Sequence, residues 1–298
     1  MDFDAIFIII GLGLFEMITS IDNAVINAEV LSTVSQKMRR LFLTWGIFFA
    51  VFVMRGLLPL IIVMLSHPGI GLAEAITFSA EESAIESSSS VLLIAGGVFL
   101  VFVFLNWLFM EPKAYGLGIE RRLQDFNVWF YAVVSVFLAA LVWFAADKDG
   151  MMAFGAVLGS TIFFIVHGFR LNAEKMEQEM MHKKGMSDWS KIFYLEAIDA
   201  SFSIDGVIGA FAFTMSVPLI ILGNGLGAIA VRQLTVANID RIKKYKYLKH
   251  GAMYSILILG AVMIAESFGW HAPSWLSPLA AIAVMGYFFR RSVKEMGA

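Results

Sequence analysis

Apolar runs long enough to cross a lipid bilayer recur along this chain, separated by short polar or charged stretches. A helix rises about 1.5 Å per residue, so about 20 apolar residues span the hydrocarbon core. By that measure the pattern predicts nine helical spans, at about 3–33, 41–65, 91–110, 127–146, 151–169, 191–214, 218–236, 251–269 and 274–290. The first run exceeds a single crossing, which implies tilt, a break or an extension beyond the bilayer. The expected fold class is an all-α polytopic membrane protein with the bilayer as its solvent.

The placement of basic residues orients these spans, because short loops rich in Lys and Arg stay on the cytoplasmic side. Lys37, Arg39 and Arg40 follow span one, and Lys113, Arg121 and Arg122 follow span three. Arg170, Lys175, Lys183, Lys184 and Lys191 follow span five, while Arg241, Lys243, Lys244, Lys246 and Lys249 follow span seven. With Arg290, Arg291 and Lys294 after span nine, 19 of the 22 basic residues lie after odd-numbered spans. Lys148 alone sits on the other face, and Arg55 and Arg232 lie inside spans. The expectation is a protein of the inner membrane with the N-terminus outside and the C-terminus in the cytoplasm. The first residues, MDFDAIFIII, carry acids where a signal peptide has a basic region, so no cleaved leader is expected.

Two stretches repeat each other. Glu16 to Val25 reads EMITSIDNAV and Asp199 to Ile208 reads DASFSIDGVI, sharing Ser-Ile-Asp with an acid six residues before the aspartate. The next span of each half carries a glycine nine residues before an arginine, Gly46 to Arg55 and Gly223 to Arg232. Two polar signatures in the same order imply a true repeat. Span one runs inward and span six outward, so the three-helix units 1–3 and 6–8 are expected to be inverted, with a site at their interface. The chain then divides into a first repeat at 1–110, with an external acidic and serine-rich loop at 66–90, and accessory spans four and five at 111–170. A helical or interfacial cytoplasmic connector at 171–190 follows, then the inverted repeat at 191–269 and an accessory ninth span with the C-terminus at 270–298.

Composition narrows the chemistry. The chain is 59% hydrophobic with a net charge of −2, so nothing points to nucleic acid as a partner. Cysteine is absent, which excludes thiolate ligands and nucleophiles. No P-loop, HExxH or GxSxG pattern supports an enzyme. A carboxylate at mid-bilayer costs about 2.5–3.5 kcal/mol on insertion scales, so Glu16, Asp22, Asp199 and Asp205 require a compensating role. Pairing with Arg55 and Arg232 neutralises at most two of the four, which leaves a cation or proton site as the favoured reading. At 100° per residue, Glu16, Ser20, Asn23 and Asn27 share one helical stripe and Asp22 projects about 120° away. Glu196, Asp199 and Ser203 share a face likewise, with Asp205 offset. Local unwinding near 20–23 and 203–206, or a broad water-filled sector, is therefore expected. The ligand set of carboxylates, amides and hydroxyls suits Mg²⁺, Ca²⁺ or Mn²⁺ and disfavours Zn²⁺ or Cu⁺, with Na⁺ and H⁺ still open. His167 reads as an interfacial hydrogen-bonding residue rather than a ligand.

Glu16-x5-Asp22-Asn23-Ala24, together with Ser203-Ile204-Asp205 and the two Gly-x8-Arg spans, resembles the TerC family within the LysE-like transporter superfamily, and more closely a TerC-related group of uncharacterised prokaryotic membrane proteins. The resemblance implies Mn²⁺ export, with Glu16, Asp22, Asn23, Asp199 and Asp205 as its metal-binding positions and Ser20 and Ser203 beside them. Gly206 stands where the first repeat has Asn23, a departure that bears on ion identity and leaves Ca²⁺ the nearest competitor. The function expected is secondary transport of a divalent cation, possible proton antiport included. Asn27, Glu196, Arg55 and Arg232 are expected as supporting groups, and no resident cofactor is expected. A non-transporting membrane metal sensor or assembly partner and a ligand-free ion-pair network are the rivals.

Overall fold

The computed structural model describes residues 3–20, 27, 30–31, 33–46, 48–66, 69–77, 86–113, 117–182, 187–242, 244–273 and 275–296. Every regular element among the described residues is helical. In chain order they are α1 (Phe3–Thr19), α2 (Gln36–Leu41), two π-helical segments (Phe42–Gly46 and Phe49–Leu57), α3 (Leu58–Ser66), α4 (Leu72–Ile76) and α5 (Glu86–Met110). There follow α6 (Gly118–Gln124), a 3₁₀ turn (Asn127–Trp129), α7 (Phe130–Lys148), α8 (Gly150–His182), α9 (Asp188–Ala210), α10 (Val217–Ile242), α11 (Leu248–Ser267) and α12 (Leu276–Met296).

Among the described residues, four stretches are long and apolar enough to cross a membrane: Ser90–Met110, Asn127–Lys148, Gly150–Asn172 and Leu248–Ser267. They coincide with predicted spans three, four, five and eight. Shorter apolar helical stretches, Arg55–Met64 and Val217–Gln233, fall within predicted spans two and seven. The chain is a helical membrane protein.

The hub of the bundle is α5. Val98, Phe99, Leu100 and Phe102 are all but completely buried, as expected of a helix that is apolar on every side. It packs on α11, α8 and α7. At the α5–α8 crossing, Gly155 and Gly159 form a Gly-x3-Gly face, and a side chain at Gly159 would collide with the Ala95 backbone. The outer helix α7 is built the opposite way. Val136, Trp143 and Phe144 are 71%, 77% and 65% exposed, an apolar face that makes physical sense against lipid tails.

The structure corrects three sequence-level expectations. Span two is not a plain α-helix, since most of 42–57 has wide π turns before α3 begins. Pro59 explains where that irregularity stops. It has no N–H, and its ring displaces the carbonyl four residues back, that of Arg55. The serines at 87–90 are not loop, because α5 starts at Glu86. No unwinding occurs at 203–206, because α9 is continuous from Asp188 to Ala210. Its start is capped by the Ser187 hydroxyl, which accepts the Ser190 N–H at 3.2 Å. Likewise α8 is a single helix of 33 residues, about 50 Å at the helical rise. It runs on through 171–182 because that stretch contains neither Gly nor Pro.

Gly159→Leu is expected to destabilise the bundle by about 1–3 kcal/mol through overpacking at α5. Thermal unfolding of the purified protein in detergent measures it, and an unchanged midpoint would refute the close crossing.

Candidate functional site

The acidic motifs lie where α1 and α9 meet α10 and the π-helical segment. On α1, Glu16 and Ser20 are one turn apart, and the Ser20 hydroxyl donates to Glu16 Oε1 at 2.7 Å. Arg55, from the second π segment, donates to the same oxygen through Nε at 3.0 Å and Nη2 at 2.5 Å. Both side chains of this ion pair are almost fully enclosed, at 2% and 0% exposure. The other oxygen, Oε2, has no hydrogen-bond partner among the described residues.

That oxygen lies against Gly206 of α9, so any side chain there would strike it. Glycine at 206, where the first motif has Asn23, leaves room for the Glu16 carboxylate. On the same turn of α9, the Asn224 amide donates to the Gly206 carbonyl at 3.4 Å, and Asn224 Oδ1 is buried without a partner.

The second motif is held in a parallel way. Arg232 of α10 reaches Asp199 Oδ2 at 3.1 Å and Glu196 Oε1 at 3.5 Å. Its Nη1 donates to the Phe42 carbonyl at 3.1 Å, and its guanidinium lies 4.3 Å from the Phe42 ring centroid. Gly46 lets the first π segment close over this pair, since a side chain at 46 would overlap Glu196 and Arg232. A cavity of about 380 Å³, lined by Trp45, Phe49, Trp189 and Ile192, borders Glu196, whose side chain is 15% exposed. Ser203 donates its hydroxyl to the Asp199 carbonyl at 2.7 Å, so it bonds back to its own helix rather than meeting a carboxylate.

Asp205 takes a different partner. Arg170 Nη2 of α8 pairs with Asp205 Oδ2 at 2.6 Å, while Asp205 Oδ1 is buried without a partner. The sequence placed Arg170 among the loop cations, so the count of two arginines against four acids is corrected to three. The offset of Asp205 on the helix is real, and it is met by aiming the acid at another helix rather than by breaking α9. His167, one turn before Arg170, stacks on the Phe163 ring at 5.6 Å between centroids.

Asp22 and Asn23 lie outside the described residues. Asn27 is buried, with Oδ1 unpartnered. Downstream of it, the Ser35 N–H donates to Asp188 Oδ2 at 3.0 Å, and Lys191 Nζ reaches Thr33 Oγ1 at 2.9 Å. Hydrogen bonds from Ser35, the hydroxyl first and the N–H second, hold the Asp188 carboxyl below its ordinary range. Among the described residues, no group of three or more His, Asp or Glu side chains is placed to hold a metal ion. A further buried polar cluster, around Glu120 and His250, gave no signal in the sequence because Glu120 lies in a loop by hydropathy.

Fold and site together define a helical integral membrane protein with an ion-paired acidic interior. Residues 21–296 match the family described as "Protein of unknown function (DUF475)", and the chain belongs to that family. It is also similar, at 27% identity over 99 residues, to the uncharacterized membrane protein YceF of Bacillus subtilis (strain 168). That match covers 32% of this chain and 38% of the relative, well under two thirds of its length. No solved structure matches the chain.

Arg55→Met is expected to cost about 3–5 kcal/mol, because it strands a buried Glu16 carboxylate. Adding Glu16→Gln in the same chain should restore most of that loss. Thermal melts of both variants test the pairing, and a double variant as unstable as the single would refute it.

Proposed function

We propose that this protein is a secondary transporter of a hard divalent cation, with Mn²⁺ as first candidate and Ca²⁺ as second, working by alternating access around the acids of α1 and α9. One observation carries the reading: the buried acids outnumber the cations that meet them. Among the described residues, the carboxylates of Glu16, Glu196, Asp199 and Asp205 face the three guanidiniums of Arg55, Arg170 and Arg232. Asp22 adds a further acid by sequence. Five buried oxygens, on Glu16, Asn27, Glu196, Asp205 and Asn224, have no hydrogen-bond partner among the described residues. Unsatisfied acceptors in an apolar interior are costly, and a hard cation is the ligand such oxygens accept.

In this reading arginines neutralise the acids when no cation is bound. Loading then requires that at least one guanidinium give way, and protons arriving at the carboxylates favour release of the metal, which is the basis for proton antiport. Nine spans with inverted repeats, an N-terminus outside and a C-terminus inside the inner membrane are part of the same reading. It is supported by the basic loops, by matched ion pairs (Glu16 with Arg55, Asp199 with Arg232) and by reciprocal glycine contacts. Gly46 abuts Glu196 of α9, and Gly223 abuts Leu12 of α1. The TerC resemblance of the motifs points to Mn²⁺ and to export.

A second reading, a purely structural ion-pair network, is favoured by the engagement of an arginine at Glu16, at Glu196 with Asp199, and at Asp205. Flux into liposomes from a panel of Mn²⁺, Ca²⁺, Mg²⁺ and Zn²⁺, at two pH gradients, separates the two. Mn²⁺ flux is expected in the wild type and is expected to be lost in Asp22→Asn and Asp205→Asn while both variants stay inserted. Flux in neither wild type nor variants, or equal flux in all three, rejects the proposal. Metal should also raise the melting temperature of the wild type and not that of Glu16→Gln.

A further inference from the structure

A second buried charge cluster lies on different helices, between α5, α6, α11 and α12. Glu120, in α6, is fully buried. Its Oε2 accepts the Leu117 N–H at 2.7 Å, and its Oε1 accepts the Tyr254 hydroxyl at 2.9 Å. His250, in the first turn of α11 and itself 4% exposed, places Nε2 3.2 Å from Glu120 Oε2. Aromatic rings wall the imidazole. Trp107 of α5 and Tyr247 meet it edge-on with centroids 5.3 Å away, and Phe288 of α12 lies at 6.0 Å.

A carboxylate enclosed this way needs a compensating charge, because two neutral donors do not offset its loss of water. Two lysines and an arginine lie nearby, and Lys113 also feels the charge of Glu120. Lys113 lies 4.5 Å from the Trp107 ring centroid and donates to the Trp107, Leu108 and Glu111 carbonyls, closing the C-terminus of α5. Lys249 pairs with Glu111, and Arg291 lies over the ring of Tyr247, whose hydroxyl donates to Glu295. The titratable ring in direct contact with Glu120 is His250, and imidazole is the side chain whose charge ordinarily changes near neutral pH.

We propose that Glu120, His250 and Tyr254 form a proton-binding latch, which holds α6 onto α11 while His250 carries its proton and loosens when that proton leaves. The proton comes from and returns to water on the face that carries the basic loops. No central acid takes part, so the latch does not depend on the cation-transport reading. Its position matters because α11 is a principal partner of the hub helix α5, and α6 follows directly from the end of that hub.

The full-length protein in lipid nanodiscs tests this through two readouts across about pH 5–8. Amide exchange of residues 118–124, corrected for intrinsic rate, is expected to rise about tenfold or more with pH as the charged contact is lost. Trp107 emission, isolated by subtracting a Trp107→Phe variant, should titrate with the same midpoint, since protonated imidazole quenches a neighbouring indole. His250→Gln is expected to flatten both curves. Glu120→Gln, which removes the anion that favours the protonated ring, is expected to move the midpoint to lower pH and serves if the first variant does not fold. Glu16→Gln should leave both curves unchanged. Flat curves in the wild type, persistent titration in His250→Gln, or an unmoved midpoint in Glu120→Gln would overturn the latch.

Discussion

The Glu16–Arg55 ion pair, with neither partner more than 2% exposed, sets the terms for the interior of this protein. A carboxylate sealed between helices has no water to solvate it, so a cation from another segment must reach it. Arg55 comes from the π-helical stretch, Arg232 from α10 and Arg170 from α8, and each crosses to an acid on α1 or α9. The positions of five helical segments are thereby tied to one another. Moving any one of them strands a buried charge, which makes the network a natural register for the whole site.

Packing around the network follows from it. Gly206 is small because Glu16 occupies the space a side chain would take, and Gly46 is small because Glu196 and Arg232 do. The wide π turns around Arg55 occur in the segment that delivers a guanidinium to a fully buried partner. Elsewhere the logic is apolar, with α5 enclosed as a hub and α7 presenting Trp143 and Phe144 to lipid. The polar interior and the apolar exterior meet one rule, that charge is enclosed with a partner and hydrocarbon is left where hydrocarbon surrounds it.

The central network and the Glu120–His250 cluster use buried charge differently. In the first, always-charged guanidiniums face an excess of carboxylate oxygens, and the imbalance is what makes a hard cation a sensible occupant. In the second, the carboxylate is matched to an imidazole, a group that can lose its charge. The two clusters lie on separate sets of helices, α1, α8, α9, α10 and the π segments for the first and α5, α6, α11 and α12 for the second.

Much of this was legible in the sequence. Apolar run length located the four described helices long enough to cross a membrane, since crossing distance and helical rise are general constants, and the cost of charge in apolar runs singled out Glu16, Asp199, Asp205, Arg55 and Arg232 before any geometry was known. Helical spacing also placed Glu196 and Asp199 on one face, where a single arginine meets both. What the sequence left open was which group each acid meets. Arg170 reads as a loop cation, Glu120 as a loop acid and His250 as a helix-end residue, because hydropathy measures a residue's neighbours along the chain and not those across a helix crossing. The offset of Asp205 was visible from periodicity, yet its resolution was not. A break in α9 and a partner on α8 satisfy the same periodicity, and only the packing of α8 beside α9 selects the partner. Local sequence thus determined where charge enters the membrane, and tertiary structure decided how it is balanced, because ion pairs form between segments far apart in the chain.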